Sequence, residues 1–106
     1  METPDASIDE LLRAAIDQKR LIRVTYKHKS RVVEPHDYGV HNGCIKLLGY
    51  QVAGSSSGPL PNWRWMEVPS LSDLHLLEQT FRGRRPSASD KHHQWDQLFK
   101  RVAPPE

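Results

Sequence analysis

Apolar residues recur along this chain at two different periods, and the change from one to the other marks its elements. Ile8, Leu11, Leu12, Ala15 and Ile16 fall on one face at helical spacing. Ser7-Ile8-Asp9-Glu10 reads as a capping box, in which the serine accepts from an amide three residues on and the glutamate reaches back. Asp9 and Glu10 at the start, with Lys19 and Arg20 at the end, suit the helix dipole. The pattern predicts a helix from Ile8 to about Lys19. A helix this short is not stable alone, so its apolar stripe must dock on something.

From Leu21 the period drops to two. Ile22, Val24 and Tyr26 alternate with Arg23 and Thr25, which predicts a strand over Leu21–Lys27. His28-Lys29-Ser30 reads as a turn and Arg31–Glu34 as the returning strand. Pro35 interrupts it and points to an edge or a bend. Extended structure resumes over Tyr38–His41. Asn42-Gly43 is the strongest turn signal in the chain, because a type I′ hairpin needs positive φ at both central residues. Tyr38–His41 should therefore pair with a strand over Cys44–Val52, in which Gly49 marks a bulge or sharp bend. A Gly/Ser/Pro loop, Ala53–Asn62, leads to a strand over Trp63–Val68, and Leu71–Glu78 supplies the last strand. Arg82–Ser89 reads as a basic linker. Ser89 caps a second helix that carries Trp95, Leu98, Phe99 and Val102 at helical spacing, before Ala103-Pro104-Pro105 stops it.

The expected organisation is thus a helix-plus-sheet unit over residues 1–81, a linker over 82–89 and a C-terminal helix over 90–102. One helix followed by about five short strands is an α+β pattern that is mainly β. In so small a sheet, strong bending into a barrel removes exposed edges better than a flat arrangement.

The length of 106 residues suits one domain with a modest core. The net charge of +2 argues only weakly for an anionic partner, but its distribution says more. Lys27, Lys29 and Arg31 cluster near one turn, and Arg82, Arg84 and Arg85 form a second group. Cys44 is the only cysteine, which excludes an internal disulfide and a Cys-based zinc site and favours a reducing compartment. It is expected to pack within its strand. Neither His92 with Asp96 nor His36 with Asp37 has the spacing of a three- or four-ligand metal site, so no metal or cofactor is expected. The start Met-Glu-Thr-Pro-Asp lacks a basic, apolar leader, and no run approaches the eighteen or so apolar residues of a membrane span. A cytoplasmic protein without a membrane partner is expected.

Several stretches resemble the WYL domain: Ala14-Ala15-Ile16 through Ile22-Arg23-Val24-Thr25-Tyr26, Arg31-Val32-Val33-Glu34-Pro35, Leu47-Leu48-Gly49-Tyr50, and Arg64 to Leu71. The likeness runs from about Leu11 to Phe81. The namesake Trp-Tyr-Leu triplet falls on Ile45-Lys46-Leu47, and two arginines of the later motif fall on Glu67 and Ser70, while Arg64 is retained. The resemblance implies a helix followed by a small five-stranded Sm-like β-barrel. It also implies a bacterial regulatory module, of a kind found beside DNA-binding domains and in some cases binding single-stranded nucleic acid or a related ligand.

Candidate binding residues follow from the same stretches. Trp63 and Trp65 share one strand face and Arg64 takes the other. Trp63 and Tyr50 are suited to stacking, and Arg64 and Arg31 to pairing with an anion. Gly54-Ser55-Ser56-Ser57-Gly58 can present backbone amides to an anion, although it lacks the Gly-Lys-Ser/Thr ending of a phosphate-binding loop. Lys46 would add charge if it lies beside Arg31 on a neighbouring strand. The expected site is therefore Arg31, Lys46, Tyr50, Ser55, Ser56, Trp63 and Arg64. It serves a non-catalytic module whose partner is single-stranded nucleic acid or a small phosphate- or carboxylate-bearing effector. The alternative is a protein-interaction or homo-oligomeric module that uses barrel edges and the tryptophans. No nucleophile–base pair stands at a readable spacing, so an enzyme is not expected.

Overall fold

A computed structural model describes residues 5–56, 58–86 and 95–105. The chain opens with helix α1, Ala6–Gln18. Its N-cap is Asp5, where the sequence pointed to Ser7. The Asp5 carboxylate accepts from the amides of Ser7 at 3.0 Å and Ile8 at 3.3 Å, and the Ser7 hydroxyl donates to it at 2.6 Å. An ionised carboxylate is the stronger acceptor at the positive end of a helix, so it takes the cap and the serine supports it. Lys19 ends the helix in a left-handed conformation, its amide reaching back to Ala15 and Ile16. Leu12, Ala15 and Ile16 form the buried stripe.

Among the described residues six antiparallel strands follow. They are β1 (Arg20–Tyr26), β2 (Lys29–His41), β3 (Cys44–Gly54), β4 (Asn62–Glu67), β5 (Ser72–Thr80) and β6 (Gln97–Arg101). The order is β4-β3-β2-β1-β5, with β6 beside β2. A 3₁₀ turn, Val68–Ser70, joins β4 to β5. These two outer strands exchange no ladder, so the sheet is open, and the expected closed five-stranded barrel is not formed. The amide of Glu67, at the end of β4, donates instead to the Tyr26 hydroxyl at 3.2 Å. Helix α1 packs on β1, β2, β5 and β6, so a helix rather than strand closure completes the interior. That interior joins Leu12, Ala15 and Ile16 to Ile22, Val24, Val33, Tyr38, Val40, Ile45, Leu47 and Met66.

β2 is the spine, and it continues through Pro35, where the sequence pointed to an edge or a bend. One of its edges pairs with β3 from Arg31 to His41. The other is divided: Lys29–Val33 pairs with β1, and Asp37–Val40 pairs with β6. Pro35 falls in the gap between those two partners, next to a bulge, where its missing N–H costs no ladder bond. Opposite Pro35 stands Gly49; a Cβ there would lie 2.2 Å from Val33 Cγ1, so only glycine permits this approach. The turn before β2 centres on Lys27 and His28, both at positive φ, rather than on His28-Lys29-Ser30, since Lys29 and Ser30 already belong to β2; the turn after it falls on Asn42-Gly43, where the sequence put it.

The expected C-terminal helix is absent from residues 95–102. Helical spacing there loses to the open stretch of β2, which offers ladder bonds that an isolated helix cannot match. Gly39 makes room for β6, since a Cβ there would meet the Gln97 carbonyl. Phe99 stands edge-on to Tyr38 at 5.2 Å, and Arg101 pairs with the fully buried Asp37 at 3.0 Å. The remainder of that expectation, including Ser89 as a cap and residues 87–89 of the linker, lies outside the described residues. Residues 82–86 are held by hydrogen bonds from Arg84 N to Ala103 O and from Arg85 N to His36 Nε2.

Candidate functional site

Along β3 the core-facing positions are Ile45, Leu47, Gly49 and Gln51, so a polar amide ends an apolar row. Gln51 is fully buried. Its Nε2 donates to the carbonyls of Ala53 at 3.1 Å and Ser55 at 2.9 Å, which fixes which way the amide points. The Oε1 atom then faces two cations. Arg31 Nη1 donates to it at 3.1 Å, and Arg64 Nε at 3.4 Å. These two donors are no farther apart than the two bonds laid end to end.

Arg31 reaches this point from β2 and Arg64 from β4, both on the core face, beside Val33 and Met66 in their strands. The loop completes the group. Ser55 N donates to Ser30 O at 2.7 Å, anchoring the loop on β2. Arg64 Nη2 donates to the Ser56 hydroxyl at 2.5 Å, and the Gly58 amide donates to the same oxygen at 3.2 Å. Arg31 is only 8% exposed, its guanidinium lies 5.6 Å from the Tyr26 ring centroid, and its Nε is buried without a partner.

The electrostatics are unusual. Two guanidinium groups share one neutral oxygen, while the ion-paired carboxylates among the described residues are engaged by Arg13, Arg85, Lys100 and Arg101. Burial, and then the charge of Arg64, hold the Arg31 pKa below its ordinary value. Arginine keeps its proton under nearly all conditions, so this environment destabilises a charge that cannot leave.

The other face of the sheet holds the aromatics. Trp63 stands edge-on to His36 at 4.8 Å and to Tyr50 at 5.2 Å. His36 also stacks on Phe81 at 5.5 Å. Arg85 lies 4.5 Å over the Tyr50 ring and grips Glu34 through Nε at 2.7 Å and Nη2 at 3.0 Å. His36 Nδ1 donates to Glu34 O at 2.8 Å, because its Nε2 accepts from the Arg85 amide. Lys46 sits near the far end of β3, opposite Gly39, with its ammonium 5.8 Å from the Trp65 ring.

Of the seven expected residues, the fold brings together Arg31, Ser55, Ser56 and Arg64. Tyr50 and Trp63 lie on the opposite face, already packed, and Lys46 is at the other end of its strand. Sequence reasoning missed Gln51, although a lone polar residue in a row of core-facing positions was a usable signal. It also took Arg85 for part of a basic linker, whereas Arg85 closes over the aromatic face. Cys44 is exposed at the start of β3, not packed within it. Among the described residues no three His, Cys, Asp or Glu side chains gather as a metal site, and no helix is long and apolar enough to cross a membrane.

No protein-family model, curated protein or solved structure matches this chain. The likeness to the WYL domain therefore rests on the residues that carry it.

Proposed function

We propose that this protein is a non-catalytic, regulatory binding module that captures an anionic group between Arg31 and Arg64. The observation that carries the reading is the convergence of both guanidiniums on the single neutral oxygen of Gln51. An anion placed there would accept from several charge-assisted donors at once and offset the mutual repulsion of the arginines. The ligand is a small phosphate- or carboxylate-bearing molecule or single-stranded nucleic acid; the resemblance to the WYL domain implies the latter or a related ligand. A reducing, cytoplasmic setting agrees with one cysteine that is exposed and unpaired.

The test is titration of the protein with inorganic phosphate and with labelled single-stranded oligonucleotides at several salt concentrations. Capture by charge predicts affinity that falls as salt rises, and an Arg64→Ala variant that binds at least about tenfold more weakly. Unchanged binding by the variant overturns the reading. The outer edges of β4 and β5, unpaired among the described residues, favour a second reading, self-assembly through strand pairing. Its signature is a dimer or ring that persists at high salt.

A further inference from the structure

We propose that the site takes a compact oxyanion, the phosphate or carboxylate head of a small molecule, in the place now held by the Ser56 hydroxyl, and does not take a polynucleotide strand. The inference rests on the anion-binding reading above and narrows its ligand. Three features point the same way.

The donors are recessed. Arg31 is nearly buried and Arg64 half-buried, whereas a strand of nucleic acid needs a track of exposed cations that follows its backbone. The stacking surface is also elsewhere. Tyr50 and Trp63 pack on the opposite face with His36 and Arg85, and the Tyr26 ring already lies under Arg31. A base attached to a phosphate bound here would find no open ring beside it.

The third feature is the loop. A neutral hydroxyl oxygen occupies the position next to Arg64 Nη2, and an oxyanion is the better acceptor there. The loop is fastened at Ser55, through its amide to Ser30 and its carbonyl to Gln51, so Ser56 can move away without uprooting the chain. Its departure also releases the Gly58 amide that now donates to it. A Cβ at Gly58 would stand 4.0 Å from Arg64 Nη2, so this amide belongs to the same neighbourhood. The vacated position is then faced by N–H donors from Arg64 and Gly58, with the Arg31 guanidinium next to Arg64 across the Gln51 oxygen, leaving room for a group the size of one phosphate or carboxylate.

Calorimetric titration of the full chain with inorganic phosphate, with acetate and with a short oligothymidine tests this at about 0.15 M salt, where loose surface attraction is screened. Phosphate or acetate should bind, the responding ion identifying the head group, and oligothymidine should bind no more tightly than that ion. Ser56→Ala should bind the ion about two- to tenfold more tightly, because nothing has to be displaced. Arg64→Ala should lose about tenfold or more, with Arg64→Lys between it and the parent, because lysine keeps the charge without the fork. Circular dichroism melts establish that each variant is folded. A Ser56→Ala variant that binds more weakly overturns the displacement. Tighter binding of oligothymidine that depends on Arg64 overturns the compact ligand while leaving the anion-binding reading intact. No binding of any of the three probes overturns both.

Discussion

At the scale of single residues, His41 shows how a neighbour decides behaviour. Its ring stacks on Trp65 at 4.4 Å and its Nδ1 is buried without a partner. Burial first, and then the charge of Lys46, hold its pKa below the ordinary 6.5, with Asp96 pulling the other way. The folded protein thus binds this proton less readily than the unfolded chain does. The resulting stability is complete above the unfolded pKa and falls as pH drops through it toward the depressed folded value. Urea midpoints should therefore decline between about pH 7.5 and 5.5, and His41→Phe should flatten that slope. A slope unchanged in His41→Phe assigns the pH dependence to other groups. The same kind of dependence on context separates Asp5 from Ser7. Both are good caps by type, and the carboxylate wins because it sits where two amides point.

At the scale of elements, β6 is fixed by ion pairs of unequal worth. Arg101 pairs with Asp37, whose side chain is fully buried, whereas Lys100 pairs with Asp17, whose side chain is 70% exposed. Arg101→Ala should cost about 1.5–3 kcal/mol in urea unfolding, and Lys100→Ala less than about 0.5 kcal/mol. Equal costs would mean that burial does not set the strength of this anchor. Most of the elements were legible in the sequence. The apolar stripe of α1, the alternation of Ile22, Val24 and Tyr26, and the Asn42-Gly43 turn each act within a few residues, and each is found nearly where its pattern put it. What could not be read was decided across long separations. Trp95, Leu98, Phe99 and Val102 keep a helical period, yet the segment is a strand because β2 leaves Asp37–Val40 open to it. Closure of the sheet failed for a similar reason, since nothing local to Glu67 shows that its amide goes to Tyr26. The site divides in the same way. Alternation correctly separated Arg64 from the tryptophans, but only the fold places Arg31 beside it and carries Lys46 away.

At the scale of the whole molecule, the arginine pair sets stability against binding. Two like charges held near one amide oxygen cost folding free energy, and one of them is mostly shielded from water; the proposed anion would offset that cost. Arg64→Gln should therefore raise the stability of the ligand-free protein, by up to about 1 kcal/mol given the partial exposure of Arg64. If the proposed anion binds the parent, its stability should grow with that anion's concentration by mass action, and the same change should abolish this gain. A variant destabilised without ligand would show that Arg64 serves mainly as packing. The divided edge of β2 has a consequence of another kind. Its pairings with β1 and β3 close through turns only a few residues long, but Arg101 must find Asp37 across a separation of 64 residues. Assembly should thus run in two acts, with a meander of neighbours first and a late arrival sewn into the remaining gap. Until that last seam is sewn, Tyr38 lacks the cover of Phe99 and the row from Asp37 to Val40 stands ready for any passing extended peptide. The latecomer is therefore a safeguard against mispairing as much as a sixth strand.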